Sequence, residues 1–246
     1  MKLIALAATL GLALIATGAA AQDPVEEIVV TGSRIGGPSY APSGYPIAPV
    51  AVPVVRLERR ADNLIVSVQV INDTRDAAAR RSEITRSLTS MARAAAGRSD
   101  IDLSILKDGA LVPFTESMVS TLTLGVDEER DDTSVATLIV KTPIREGDTL
   151  DTASDRIETF VEGADMTGRS LAEISGSWQL SIVDPPQYRD PVVRLIAEDA
   201  RATSAAFGDG YAVNVEGLEN RVAWQQSGPL SLILYIPYQM TVTPRP

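Results

Sequence analysis

The chain has no cysteine and no histidine, and only 4% of its 246 residues are aromatic. Without those two residue types a Ser-His-Asp triad, a Cys-His pair and a zinc site ligated by His or Cys are excluded. Disulfides are excluded as well, so an apolar core must hold the fold. The kits left for catalysis are a Ser-Lys dyad, a carboxylate pair or an oxygen-only metal site. Lysine is scarce too: beyond Lys2 only Lys107 and Lys141 occur, and arginine carries the remaining positive charge. The formal charge of −10 becomes −11 once Lys2 is lost with a leader (−10 − 1). That balance argues against nucleic acid or an anionic membrane surface as the main partner, since both require clustered Lys and Arg.

Met1 and Lys2 make a short positive start, and Leu3 to Ala16 is an apolar run followed by small residues at Ala19 and Ala21. This pattern predicts a signal peptide over residues 1–21, cut after Ala21. The run is shorter than the roughly 20 residues a spanning helix needs, and no second run of spanning length follows. The expected product is an exported chain of 225 residues without a transmembrane segment, in the periplasm or associated with the outer membrane. With no cysteine at the cleavage point, lipoprotein anchoring is excluded. The length suits one large domain or two small lobes.

Residues 22–49 hold two features. Glu26 to Ile35 reads "EEIVVTGSRI", apolar enough for a strand, and Gly36 to Pro49 carries prolines at 38, 42, 46 and 49. Proline fixes φ and removes a donor, so the second stretch reads as a semi-extended Pro/Gly-rich tether, with packing through Tyr40 and Tyr45 as its alternative.

Residues 50–246 read as the folded domain. "VVRLERRADNLIVSVQVIND" predicts two strands with a turn near Ala61 to Asn63, the second alternating through Leu64, Val66, Val68 and Val70. Ala77, Ile84, Leu88, Met91 and Ala95 recur at helical spacing up to Gly97. Strands are expected at Ile101 to Ile105, Ser117 to Leu124 and Ser134 to Thr142. A second helix is expected on the stripe Leu150, Ala153, Ile157, Phe160 and Ala164. "AEISGSWQLSIVD" predicts a strand with Ile174, Trp178, Leu180 and Ile182 inward, and Ser175, Ser177, Gln179 and Ser181 outward. A third helix is expected to open with Asp190 as cap and Pro191 at its first position, and to end at Gly208. Its predicted buried stripe is Val193, Ile196, Ala197, Ala200, Ser204 and Phe207. "GYAVNVEG", "NRVAWQQ" and "LSLILYIPYQMTV" close the chain as strands. The expected fold class is α+β, antiparallel sheets packed with three helices.

Two resemblances add to this reading. "VSVQVINDTRDAAARRSEITRSLTSM", "EGADMTGRSLAEISGSWQLSIVDPP" and "PVVRLIAEDARATSAAFG" resemble the SIMPL domain family of exported bacterial proteins, over about residues 50–243. The segment "VPVVRLERRAD" departs from that family's glycine-rich first strand. The resemblance implies an α+β protein of a Gram-negative envelope that often assembles into oligomers, with no agreed catalytic activity and no catalytic residues to carry over.

"EEIVVTGSRI" resembles the TonB-box region that follows the signal peptide of TonB-dependent outer-membrane receptors. A receptor of that class needs a plug and about 22 barrel strands, which 225 residues cannot supply. The physical logic of such a box is strand addition: β-branched residues extend the backbone and pair it with an exposed sheet edge. The candidate partner-binding residues are therefore Glu26, Glu27, Ile28, Val29, Val30, Thr31, Gly32, Ser33, Arg34 and Ile35. They are expected to dock on a TonB-like periplasmic protein, to fold back as an edge strand of the same domain or of a neighbouring copy, or to be an inert leader. The first is the leading expectation.

Other candidates carry less. "DEERDD", Asp127 to Asp132, lacks the alternate-position spacing of a calcium loop and reads as a solvated hairpin tip. Glu198 with Asp199, Asp184 with Asp190, and Lys141 with Ser134 are pairings on paper for hydrolytic chemistry. Arg80, Arg81 and Arg86 form a basic helix face suited to solvent or to self-association against Glu198 and Asp199. The resulting expectation is a non-enzymatic envelope binding or assembly protein, without cofactor or metal, whose partners are a TonB-like protein and a second copy of the chain. A carboxylate-dependent envelope hydrolase is the alternative.

Overall fold

The computed structural model describes residues 27–30, 53–107, 110–127, 130 and 132–245. The expectations for the signal peptide, for the Pro/Gly-rich stretch, for Glu26 and Thr31 to Ile35, and for Glu128, Glu129 and Asp131 lie outside these residues. The architecture is α+β.

A six-stranded antiparallel sheet forms the frame. Its strands are β1 (Glu27–Val30), β3 (Asn63–Asn72), β4 (Asp102–Lys107), β5 (Ala110–Pro113), β6 (Ser134–Pro143) and β7 (Ser170–Val183), in the order β1-β7-β3-β6-β4-β5. Alternation places Leu64, Val66, Val68 and Val70 of β3 on the same face as Leu138 and Val140 of β6, all buried. Helices α1 (Ala77–Ala96) and α2 (Leu150–Glu162) cover that face. The Asp76 side chain accepts from the Ala79 N–H at 2.8 Å to start α1, and Gly97 ends it. A capping box between Thr149 and Thr152 starts α2.

The same face continues into a second apolar cluster. It is built from Leu64, Leu180 and Ile182 of the large sheet, Val192 and Ile196 of α3 (Arg189–Phe207), and Leu232 and Leu234 of β10 (Ser231–Tyr235). Strand β10 is the centre of a three-stranded sheet with β2 (Leu57–Arg60) and β9 (Ala223–Gln226). Strands β8 (Tyr211–Glu216) and β11 (Gln239–Pro244) form a separate pair. Trp178 packs against both clusters and joins them.

Several local expectations are corrected. The two strands around Ala61 to Asn63 do not pair with each other: β2 joins β10, while β3 lies between β6 and β7. Ser117 to Leu124 is not a strand. Glu116–Thr121 is a 3₁₀ turn that buries only Val119, and its i→i+3 bond from Met118 N–H to Thr115 O leaves no extended edge to pair. Asp190 is not the cap of α3. Pro185–Tyr188 forms a 3₁₀ turn that runs straight into the helix, so α3 starts at Arg189 and Asp190 sits in its first turn. Of the predicted stripe Ile196 is buried, with Val192 beside it, while Val193, Ala200 and Ser204 are half-buried, Ala197 is exposed and Phe207 lies against Tyr211. Ala77 is exposed at the free first turn of α1. The segment from Ser231 to Pro244 divides into β10 and β11.

Candidate functional site

Strand β7 is fourteen residues long, and among the described residues its last four carry a strand on the outer side: Val183, Ile182, Ser181 and Leu180 stand opposite Glu27, Ile28, Val29 and Val30. Two features of the sequence set the limits of this slot. Upstream, the register against β3 slips between Ile65–Gln179 and Ser67–Ser175, and Gly176 takes a φ of +90°, so the strand is bulged there. Downstream, Asp184 adopts the left-handed conformation and Pro185 begins the 3₁₀ turn, which ends the strand.

The end of the slot is pinned. The Val183 N–H donates to Asp62 Oδ2 at 2.8 Å, and the Asp62 N–H donates to the Ser181 carbonyl at 3.0 Å. Asp62 pairs with Arg59, whose guanidinium lies 4.4 Å from the Tyr188 ring centre.

The chemistry of the slot centres on one carboxylate. Glu27 Oε1 accepts from Ser181 Oγ at 2.7 Å and from Asn63 Nδ2 at 3.0 Å, and Glu27 Oε2 accepts from Lys141 Nζ at 2.8 Å. These groups come from four adjacent strands, β1, β7, β3 and β6, and form a polar row across the sheet face opposite the helices. Asp102 of β4 extends it, with Oδ2 at 3.7 Å from Lys141 Nζ. Ser181 is fully buried and Asn63 nearly so, and the two are also bonded to each other at 3.1 Å. Charge-assisted bonds of this kind are stronger than neutral ones, and low exposure strengthens them further. Only 17% of each of the Lys141 and Glu27 side chains is exposed.

The structure thus places Glu27, Ile28, Val29 and Val30, four of the ten candidate partner-binding residues, in a strand of the chain's own sheet. Reading the sequence missed Asn63, Ser181 and Lys141. Ser181 was expected to face solvent, and its alternation with Leu180 and Ile182 is correct, but β1 adds a polar neighbour there. The one advance signal was Lys141, a rare lysine near the end of an apolar strand.

The remaining pairings do not assemble a reactive site. Lys141 and Ser134 lie at opposite ends of β6, and Ser134 Oγ accepts from Arg80 Nε at 3.3 Å. Arg80 is turned to the loop before α1, donating to the Thr74 carbonyl at 2.7 Å, so it is not part of an open basic face, whereas Arg81 and Arg86 are exposed. Glu198 is exposed, and Asp199 accepts from the Tyr238 hydroxyl at 3.4 Å. Asp190 is exposed on α3 and Asp184 sits in the turn before it.

A second polar cluster lies at the other end of β3. Glu83 Oε2 accepts from Thr74 Oγ1 at 2.6 Å, Asn72 Nδ2 at 2.9 Å and the Arg169 N–H at 3.1 Å. Those donors, Thr74 first and Asn72 next, lower its pKa to about 2. Asp73 is held well below the usual carboxylate range by Arg169, then by Arg130. The hollow beside it, about 400 Å³, is lined by Asp73, Arg130, Arg169 and Glu173. Its best-placed carboxylate is therefore already committed to two guanidinium groups. A hollow of about 710 Å³ on the outer sheet face has, among the described residues, one carboxylate in its lining, Asp127. Among the described residues no group of three or more acidic side chains could hold a metal ion, and no helix is long and apolar enough to cross a membrane. Comparison with protein-family models, with curated proteins and with solved structures finds no match to this chain.

Proposed function

We propose that this chain is a non-catalytic binding or assembly module of a bacterial envelope and that it works by strand addition. The observation that carries the reading is strand β1, added antiparallel to the edge of β7 and held through the Glu27 carboxylate. Glu27 to Val30 of the segment that resembles a TonB box therefore have strand-forming capacity and a resting place within their own domain. When it leaves that place, it is donated to the exposed sheet edge of a TonB-like periplasmic protein, where main-chain bonds supply affinity and side-chain pockets supply choice. The SIMPL-like pattern of residues 50–243 and the leader-like start support an exported protein, in the periplasm or associated with the outer membrane.

Binding to a purified TonB C-terminal domain tests the reading. The mature chain from Gln22 is expected to bind in biolayer interferometry, and a chain lacking residues 26–35 is expected not to bind. Equal binding by the two would overturn it.

A further inference from the structure

The slot that holds β1 is described by its own residues, not by the strand that fills it. Its floor is the outer edge of Leu180–Val183, with the bulge at Gly176 upstream and the strand end at Asp184 and Pro185 downstream. Its reading head is Lys141 with Asn63 and Ser181, all on the domain side and all directed at one carboxylate oxygen pair. Were β1 to leave, Asn63 and Ser181 would retain each other, and Lys141 would retain only Asp102 at 3.7 Å. Asp102 is 68% exposed, whereas Glu27 is 17% exposed, so the buried charge of Lys141 depends on what occupies the slot.

We propose that the Leu180–Val183 edge, together with Lys141, Asn63 and Ser181, is a peptide-binding site for an extended segment of another protein. The recognised chemistry is a carboxylate residue at the head of a short β-branched run. The carboxylate takes the place of Glu27 opposite Val183, and the following three residues pair with Ile182, Ser181 and Leu180. Charge complementarity at Lys141 selects the acidic residue, and the strand end at Asp184 and Pro185 fixes where that residue sits. The chain's own β1 is then the resident competitor, held at the high effective concentration of a covalently connected segment. This inference rests on the strand-addition reading but concerns the accepting edge, whereas that reading concerns the donated strand.

The test uses the mature chain and a fluorescein-labelled peptide EEIVVTGSRI, followed by anisotropy. Glu27→Lys sets a like charge against Lys141 and disfavours the resident strand, so this variant should take up the peptide at least about tenfold more tightly than the unaltered chain. A peptide with lysine in place of the second glutamate should lose about tenfold or more on the same variant. In a chain carrying both Glu27→Lys and Lys141→Glu the resident strand is matched again and should exclude both peptides. In Lys141→Glu alone the preference should invert in favour of the lysine peptide. That inversion is a gain of binding, so it separates a lost slot from a chain that has failed to fold. Equal uptake by the unaltered chain and Glu27→Lys, or equal binding of the two peptides, would overturn the proposal. So would a peptide-free Glu27→Lys chain that sediments as a dimer, since this would give the slot to a second copy. A chain that fails these peptide tests yet binds the TonB domain through residues 26–35 would leave the donor reading standing, and the reverse result would leave the acceptor site standing.

Discussion

Strand β3 begins and ends on an asparagine with little or no exposure, and its two ends satisfy that residue in parallel ways. At one end Asn63 donates to Ser181 of β7 and to Glu27; at the other Asn72 donates to Ser170 of β7, at 2.9 Å, and to Glu83. The difference lies in where the carboxylate comes from. Glu83 is on α1, eleven residues along the chain from Asn72, and the helix is anchored by Ile84, Leu88 and Met91 in the core. Glu27 is 36 residues from Asn63 and reaches it on a four-residue strand. An asparagine-serine-carboxylate arrangement supported by a core helix is scaffold. The same arrangement closed by a short edge strand can open without unfolding anything else.

The largest expected effect follows from that contrast. Asn72→Ala removes a fully buried side chain that donates to Ser170 and to the Glu83 carboxylate, and should cost about 2–3 kcal/mol of global stability by urea unfolding, with an unchanged m-value. Asn63→Ala should cost only about 1 kcal/mol, because β1 can release Glu27 to water. Equal losses would break the comparison.

Next, hydrogen exchange should find the amides of the β1–β7 pairing opening at least about a hundredfold more often than those pairing β3 with β6, and Glu27→Gln should widen the gap. Uniform protection across the six strands would mean that β1 is as much scaffold as α1.

Gly168→Ala should act at the Glu83 end alone. Gly168 has a φ of +63°, and an added Cβ would meet the Glu83 carboxylate, so backbone strain and displacement of that group together should cost about 1–2 kcal/mol. Exchange of the β1 amides should not change.

The smallest effect is acid dependence. The folded pKa of Glu83, about 2, lies below its ordinary value of 4.5, so its contribution is fully present above 4.5 and fades as the pH falls toward 2. The stability advantage of the unaltered chain over Glu83→Gln should therefore shrink across that window in acid titration followed by circular dichroism, and stay constant above it.

Much of the fold is legible from residue order because it is local. The period-two alternation from Leu64 to Val70, the stripe Ile84, Leu88, Met91 and Ala95, and the helix end at Gly97 all express short-range geometry. What was misread depends on neighbours distant in the chain. Glu116–Thr121 has strand-like composition but forms a 3₁₀ turn, and α3 buries Val192 and Ile196 because the second apolar cluster packs against that side. The slot was half legible. Glu26 to Ile35 could be recognised as strand-forming from its β-branched residues, whereas Asn63, Lys141 and Ser181 are far apart in sequence, and the rarity of Lys141 does not point to the other two.

The sequence by itself determined what chemistry is excluded, since no arrangement of this chain can supply an imidazole or a thiol. It also determined which segments can be strands and helices, through periodicity and caps. Only the tertiary structure decided that the N-terminal strand lies on β7 and that its glutamate meets a lysine 114 residues away. Sheet pairing joins residues across the chain by backbone hydrogen bonds that carry little side-chain identity, so the register, and with it the site, is set by the assembled sheet.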